Sequence, residues 1–139
     1  MSRILAVDWG ERRIGLAVSD ETRTLARPLP TLHVKGVREG QAGVAAQVVA
    51  QGAVRVVLGR PLHMDGRSSA LEEKVTAFAA ALARRLPSVD LVFWDERLTS
   101  VEAASMLRER GERVGRNKGR LDQVAAALLL QSYLDAGCP

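Results

Sequence analysis

The sequence predicts an α/β fold, a mixed five-stranded sheet flanked by helices. Three observations carry that prediction. The first 34 residues hold three strand-like runs with no helical pattern between them. Two further β-rich runs then alternate with segments of helical period, as crossover units do. Finally, 139 residues suffice for one domain, 1–139, with a core of its own.

Taken in order, residues 3–9 (RILAVDW) read as a strand apolar on both faces apart from Asp8, hence a central one. Gly10 opens a turn carrying Glu11 and Arg12, and residues 13–19 (RIGLAVS) return as the second arm of a hairpin. Gly10 and Gly15 allow tight backbone there. Residues 24–34 contain Pro28 and Pro30, which suit an edge strand. Residues 41–51 place Val44, Ala45, Val48 and Val49 at helical spacing, and Gly52 stops that helix. Residues 54–58 (VRVVL) are a strand. Ser69 with Glu72 is a capping-box pattern, and Leu71, Val75, Phe78, Leu82 and Leu86 share the face of the helix it starts, which Pro87 ends. Residues 90–95 (DLVFWD) form the fifth strand. Thr99 and Glu102 repeat the capping pattern before a helix to about Arg110, closed by Gly111. Residues 112–119 read as a loop, and 121–135 as a last helix, apolar almost all round and so largely buried.

Composition excludes some classes. Hydrophobic residues make up 47% and charged residues 26%, as in ordinary soluble domains. No apolar run approaches the roughly 20 residues of a membrane span, and Asp8 interrupts any secretory-signal pattern. The lone Cys138 permits neither an intrachain disulfide nor a Cys-based zinc site, which suits a reducing cytoplasmic setting, and it reads as an exposed tail residue. The two histidines, His33 and His63, lack zinc-type partners. Of 20 basic residues, 17 are arginine, suited to bidentate phosphate contact, although codon bias gives the same enrichment.

Three carboxylates stand apart. Asp8 ends a buried strand, Asp95 and Glu96 end the fifth strand, and Asp122 stands in the first turn of the last helix. Each has an ordinary reading: a turn acceptor, solvated strand-end charges, a helix-start acid favoured by the dipole. Strand alternation admits only one of Asp95 and Glu96 to a shared site. Together, acids at carboxyl strand ends suit hard cations such as Mg²⁺ or Mn²⁺, which can assist phosphoryl displacement.

The segments DWGERRIGLAVSD (8–20), LGRPLHMDG (58–66), DERLTSVEA (95–103) and NKGRLDQVAAALLLQSYL (117–134) resemble the four blocks of the bacterial YqgF family. That family is described variously as pre-16S rRNA nuclease and Holliday-junction resolvase-like. The resemblance spans nearly the whole chain and implies a ribonuclease H-like fold. It also implies a metal-dependent nuclease with Asp8, Glu96 and Asp122 as catalytic metal ligands, which selects Glu96 over Asp95. True junction resolvases usually carry a fourth carboxylate one turn after the last-helix acid; Ala125 stands there instead.

Basic residues supply the expected nucleic-acid contacts. Residues 108–120 (RERGERVGRNKGR) hold six cations and two anions, a balance equal to the whole chain's net +4. Arg113, Arg116 and Lys118 in this segment are expected to bind phosphate, with the solvated loop as the plain alternative. Arg13 touches phosphate or is a solvated strand residue, and Arg97 orients the neighbouring carboxylate or binds substrate. In the loop 59–66, Asp65 reads as a turn residue. Expected partners are an RNA precursor or single-stranded RNA or DNA, with no membrane, and a monomer is favoured over a dimer. The alternatives are a junction resolvase in DNA recombination or repair, and a non-catalytic RNA-binding module. A third, nucleotide clamping of the actin type, needs two such domains.

Overall fold

The computed structural model describes residues 2–61, 69–95 and 118–139, with side chains in the last stretch from Val124 onward. The elements are β1 (Arg3–Asp8), β2 (Arg13–Ser19), β3 (Ala26–His33), α1 (Val37–Gln51), β4 (Ala53–Arg60), α2 (Ala70–Arg85), β5 (Asp90–Asp95) and α3 (Lys118–Asp135). The expected helix of 99–110 and the loop of 62–66 lie outside the described residues.

The strands form one sheet in the order β3-β2-β1-β4-β5. The pairs β1–β2 and β2–β3 are antiparallel, whereas β1–β4 and β4–β5 are parallel. The sheet is therefore mixed, with β1 at its centre as its two apolar faces require. The proline-bearing β3 is an edge, where a missing N–H leaves no ladder bond broken on its outer side.

Alternation along the strands divides the core in two. Leu5, Val7, Ile14, Leu16, Val18, Val56 and Leu58 pack with Val44 and Val48 of α1 and Val75, Phe78 and Leu82 of α2. Ile4, Ala6, Ala17 and Val57 pack on the opposite face with Ala126, Leu129, Leu130 and Tyr133 of α3. Full burial of each large side chain contributes about 1.5–3 kcal/mol, so the two faces together hold β1 in place.

Several boundaries differ from the sequence reading. Helix α1 starts at Val37 rather than 41, and Val49 is 76% exposed, so its buried face is narrower than the apolar spacing suggests. Leu71 is likewise exposed and Leu86 only half-buried. Ser69 caps α2 by accepting from the Glu72 amide at 3.1 Å. The Glu72 carboxylate also accepts from Arg60 Nε at 2.7 Å. Helix α3 includes Lys118 and Gly119, which the glycine-rich pattern assigns to a loop. Glycine costs little in a first turn, where amides have no intrahelical partner. Cys138 is not an exposed tail residue: it is half-buried against the α3 core, and its carbonyl accepts from Arg55 Nη1 at 3.2 Å. No helix among the described residues is long and apolar enough to cross a membrane.

Candidate active site

The parallel strands β1, β4 and β5 end at a common edge of the sheet. Val7 pairs with Leu58, and Arg60 pairs with Asp95, so the chain leaves all three strands close together. Sites in open α/β sheets gather beyond such carboxyl ends. Asp8 is the last residue of β1 and is half-buried, with a polar interaction of its own.

Strand parity fixes the face that Asp8 takes. Ile4 and Ala6 face α3, so Asp8 does too. Arg13, first residue of β2 and half-buried, shares the parity of Ala17 and hence the same face; Gly15, between them, pairs directly with Asp8. In β5, Val92 and Trp94 face α3, while Leu91 packs on the α1–α2 side. Asp95 has the parity of Leu91 and falls on the side away from Asp8.

Helix α3 covers the face of the sheet that Asp8 takes, with Ala126, Leu129, Leu130 and Tyr133 packing with Ile4, Ala6 and Ala17. Its C-terminal half is tied to β3 and to β5: Gln131 accepts from the Ala26 amide at 2.9 Å and donates to Thr24 O at 2.9 Å, and the Ser132 hydroxyl accepts from Trp94 Nε1 at 3.1 Å. Position 122 lies one helical turn before Ala126. It is the fifth residue of the helix, one turn deeper than the first-turn placement read from sequence, so the helix-dipole explanation of Asp122 loses its basis.

The turn after Asp8 is tight. A Cβ on Gly10 would lie 2.5 Å from the Arg13 carbonyl oxygen, so only glycine fits. This turn encloses a hollow of ≈ 330 Å³ lined by Asp8, Glu11, Arg12 and Arg13. At about 30 Å³ per water, such a space holds on the order of ten waters. A half-buried carboxylate beside a wet, roomy hollow fits a Mg²⁺- or Mn²⁺-type site, where water supplies most ligands.

Among the described residues no three His, Cys, Asp or Glu side chains cluster as a metal site. Glu96 and the Asp122 side chain, two of the three expected ligands, lie outside the described residues, as do Arg97, Arg113 and Arg116. Lys118 opens α3, so one cation of the basic segment belongs to the helix that carries Asp122. The sequence reading missed Arg60. Its guanidinium, at the end of β4, is held by Glu72, a pairing across twelve residues that no local pattern signals.

Comparison with known proteins bears on the same elements. The family model RuvX, described as Holliday junction resolvase, matches residues 2–136. A protein of Chloroflexus aurantiacus named as a pre-16S rRNA nuclease is 44% identical over 133 residues, covering 96% of this chain and 86% of its own. One from Syntrophus aciditrophicus with the same name is 40% identical over 134 residues, covering 96% and 89%. Among solved structures, T. thermophilus RuvC in complex with Holliday junction substrate superposes with TM-score 0.62 at 20% identity, covering 99% of this chain and 98% of that one. The Fowlpox virus resolvase with substrate Holliday junction DNA gives 0.58 at 13% identity, covering 96% and 97%. These structural likenesses show the fold, which is ribonuclease H-like. The match along nearly the whole length, together with relatives of 40% identity or more, means that this chain belongs to the RuvX family, the one its four sequence blocks resemble under the name YqgF.

Proposed function

We propose that the chain is a divalent-metal-dependent nuclease that hydrolyses phosphodiester bonds in the cytoplasm, acting in 16S rRNA precursor processing and on single-stranded nucleic acid. The observation that carries this reading is that Asp8 ends β1, by strand parity, on the face of the sheet that α3, the helix of position 122, covers. Asp8, Glu96 and Asp122 are the proposed ligands. The parity of Val92 and Trp94, carried one step past β5, favours Glu96 over Asp95 as the third acid. A divalent ion held by these carboxylates would supply Lewis acidity at the scissile phosphate. The chain's own residues do the rest. The carboxylates fix the site on two rigid elements, Arg13 on the same face binds a phosphate oxygen, and Arg97, Arg113, Arg116 and Lys118 draw in the polyanion.

The relatives' names support ribosomal RNA as substrate. The family description and the junction-bound structural neighbour favour a second reading, a junction resolvase. Ala125, one helical position where junction resolvases usually carry a further acid, argues against it, and symmetric cutting would also need a dimer with two sites held at fixed spacing. The deciding experiment incubates precursor rRNA, an unstructured RNA and an intact four-way junction with the protein at equal salt and metal. RNA cleavage with the junction left whole supports the proposal. Paired symmetric nicks in the junction with RNA left whole would assign the second reading. Binding of RNA without turnover in any metal would reduce the chain to a binding module.

A further inference from the structure

On the other face of the sheet, immediately behind the Gly10 turn, lies a second hollow of ≈ 450 Å³. Its floor is apolar: Trp9, Phe78, Val37 and the exposed Ala77. Trp9 and Phe78 pack ring against ring at 5.8 Å, so the floor is rigid. Its rim is charged. Arg12, Lys35 and Lys74 contribute three cations against the single anion Glu11, which is paired with Lys74. Gly36 and Val37 open α1; Glu39 in its first turn accepts from the Lys35 amide at 3.2 Å and offsets the helix dipole, so the rim's positive charge comes from the three side chains.

Trp9, Glu11 and Arg12 line this hollow and the Asp8 hollow alike. A strand leaving the Asp8 site around the turn therefore meets the second hollow next. We infer that this second hollow is a nucleotide subsite: it takes one unpaired nucleotide of the substrate strand, base on the apolar floor and phosphate on the Arg12, Lys35 and Lys74 rim. The inference rests on the nuclease reading for the identity of the strand, though not for the chemistry of the subsite.

The volume fits, since sites for small ligands span about 300–1,000 Å³. The chemistry fits as well, because a nucleotide is itself an apolar face joined to a double or single negative charge. Trp9 is 8% and Phe78 1% exposed, so neither ring offers a full stacking face. The base is then held by burial and shape, and base identity matters little. A duplex keeps its bases stacked and cannot place one in such a hollow without unpairing it. The subsite thereby selects unpaired strands.

The test uses the full chain in EDTA, so that binding is read without cleavage. A fluorescein-labelled unstructured hexanucleotide RNA is titrated by anisotropy against the wild type, Ala77→Trp, which fills the hollow from an exposed helical position, and Lys35→Ala, which trims the exposed rim. Unchanged thermal unfolding shows that each variant folds. Each is expected to weaken the hexamer about tenfold. Uridine monophosphate is expected to displace the hexamer from the wild type at lower concentration than either uridine or inorganic phosphate. Wild-type affinity in folded Ala77→Trp would overturn the subsite, and so would inorganic phosphate competing as well as the nucleotide. Cleavage lost in Asp8→Asn but not in Ala77→Trp would leave the nuclease reading standing in either case.

Discussion

Gly10 is where the backbone leaves least room, and a single methyl group there perturbs the proposed site without touching any acid. In Gly10→Ala the new Cβ would sit 2.5 Å from the Arg13 carbonyl oxygen. A carbon–oxygen contact relaxes at about 3.3 Å. The turn must therefore open by roughly 0.8 Å, and because the clash is with backbone, no side chain can rotate away. Overpacking of this kind costs about 1–3 kcal/mol of stability. For a domain of this size, each kcal/mol lowers Tm by roughly 3–5 °C. Asp8 ends β1 two residues before Gly10, and Arg13 begins β2 three residues after it, so the opening moves the proposed ligand and the proposed phosphate contact apart. Misplacement near 1 Å costs a reaction about 100-fold. The assay is cleavage of a labelled single-stranded RNA with Mn²⁺, well below the Tm measured for the same sample. The expected result is a rate near one-hundredth of wild type in a protein that remains folded. A folded Gly10→Ala protein cutting at the wild-type rate would refute the claim that this turn sets the geometry of the site.

Three further outcomes are expected. Asp95→Asn retains more than about a third of wild-type cleavage, whereas Glu96→Gln loses nearly all of it; the reverse pattern in rate assays would show that the parity of β5 shifts after Trp94. Neutralising Arg113, Arg116 and Lys118 together weakens nucleic-acid binding and flattens its salt dependence by up to about two units of log–log slope, measured as affinity from 50 to 300 mM salt, a range on the order of that used to resolve counterion release. Tyr133→Phe removes the hydroxyl that accepts from Arg55 Nη1 at 2.9 Å, a bond that holds the Arg55 guanidinium above its ordinary pKa. Loss of a hydrogen bond to a charged group lowers stability by about 1.5 kcal/mol in denaturant titration, with cleavage at 25 °C unchanged.

The sequence carries those parts of the structure that depend on periodicity. Pro28 and Pro30 mark β3 as an edge, and the apolar runs of β1 place it centrally, because both signals express burial or a missing donor. The face taken by Asp8 follows from Ile4 and Ala6 for the same reason. What the sequence hides depends on partners distant along the chain. Glu72 looks like half of a local capping box, yet Arg60 of the preceding strand claims its carboxylate. Val49 extends the apolar pattern of Val44 and Val48, but it lies about 100° round the helix from Val48 and faces solvent. Arg12, Lys35 and Lys74 belong to three separate segments and only the fold gathers them around one hollow. Asp122 is legible as an isolated acid in an apolar helix. That its helix covers the face taken by Asp8 is not, because that requires the packing of Ala126, Leu129 and Leu130 with Ile4 and Ala6.

The central claim is that Asp8 works with a divalent ion and two other carboxylates to break phosphodiester bonds. Its most direct test follows turnover of one labelled single-stranded RNA by wild type and Asp8→Asn, in Mn²⁺, in Mg²⁺ and in EDTA, with circular dichroism confirming that both proteins are folded. The account predicts cleavage by the wild type in at least one of the two metals, none above background in EDTA, and at least a 100-fold loss in folded Asp8→Asn. Undiminished cleavage by the wild type in EDTA, or by folded Asp8→Asn in metal, would contradict it.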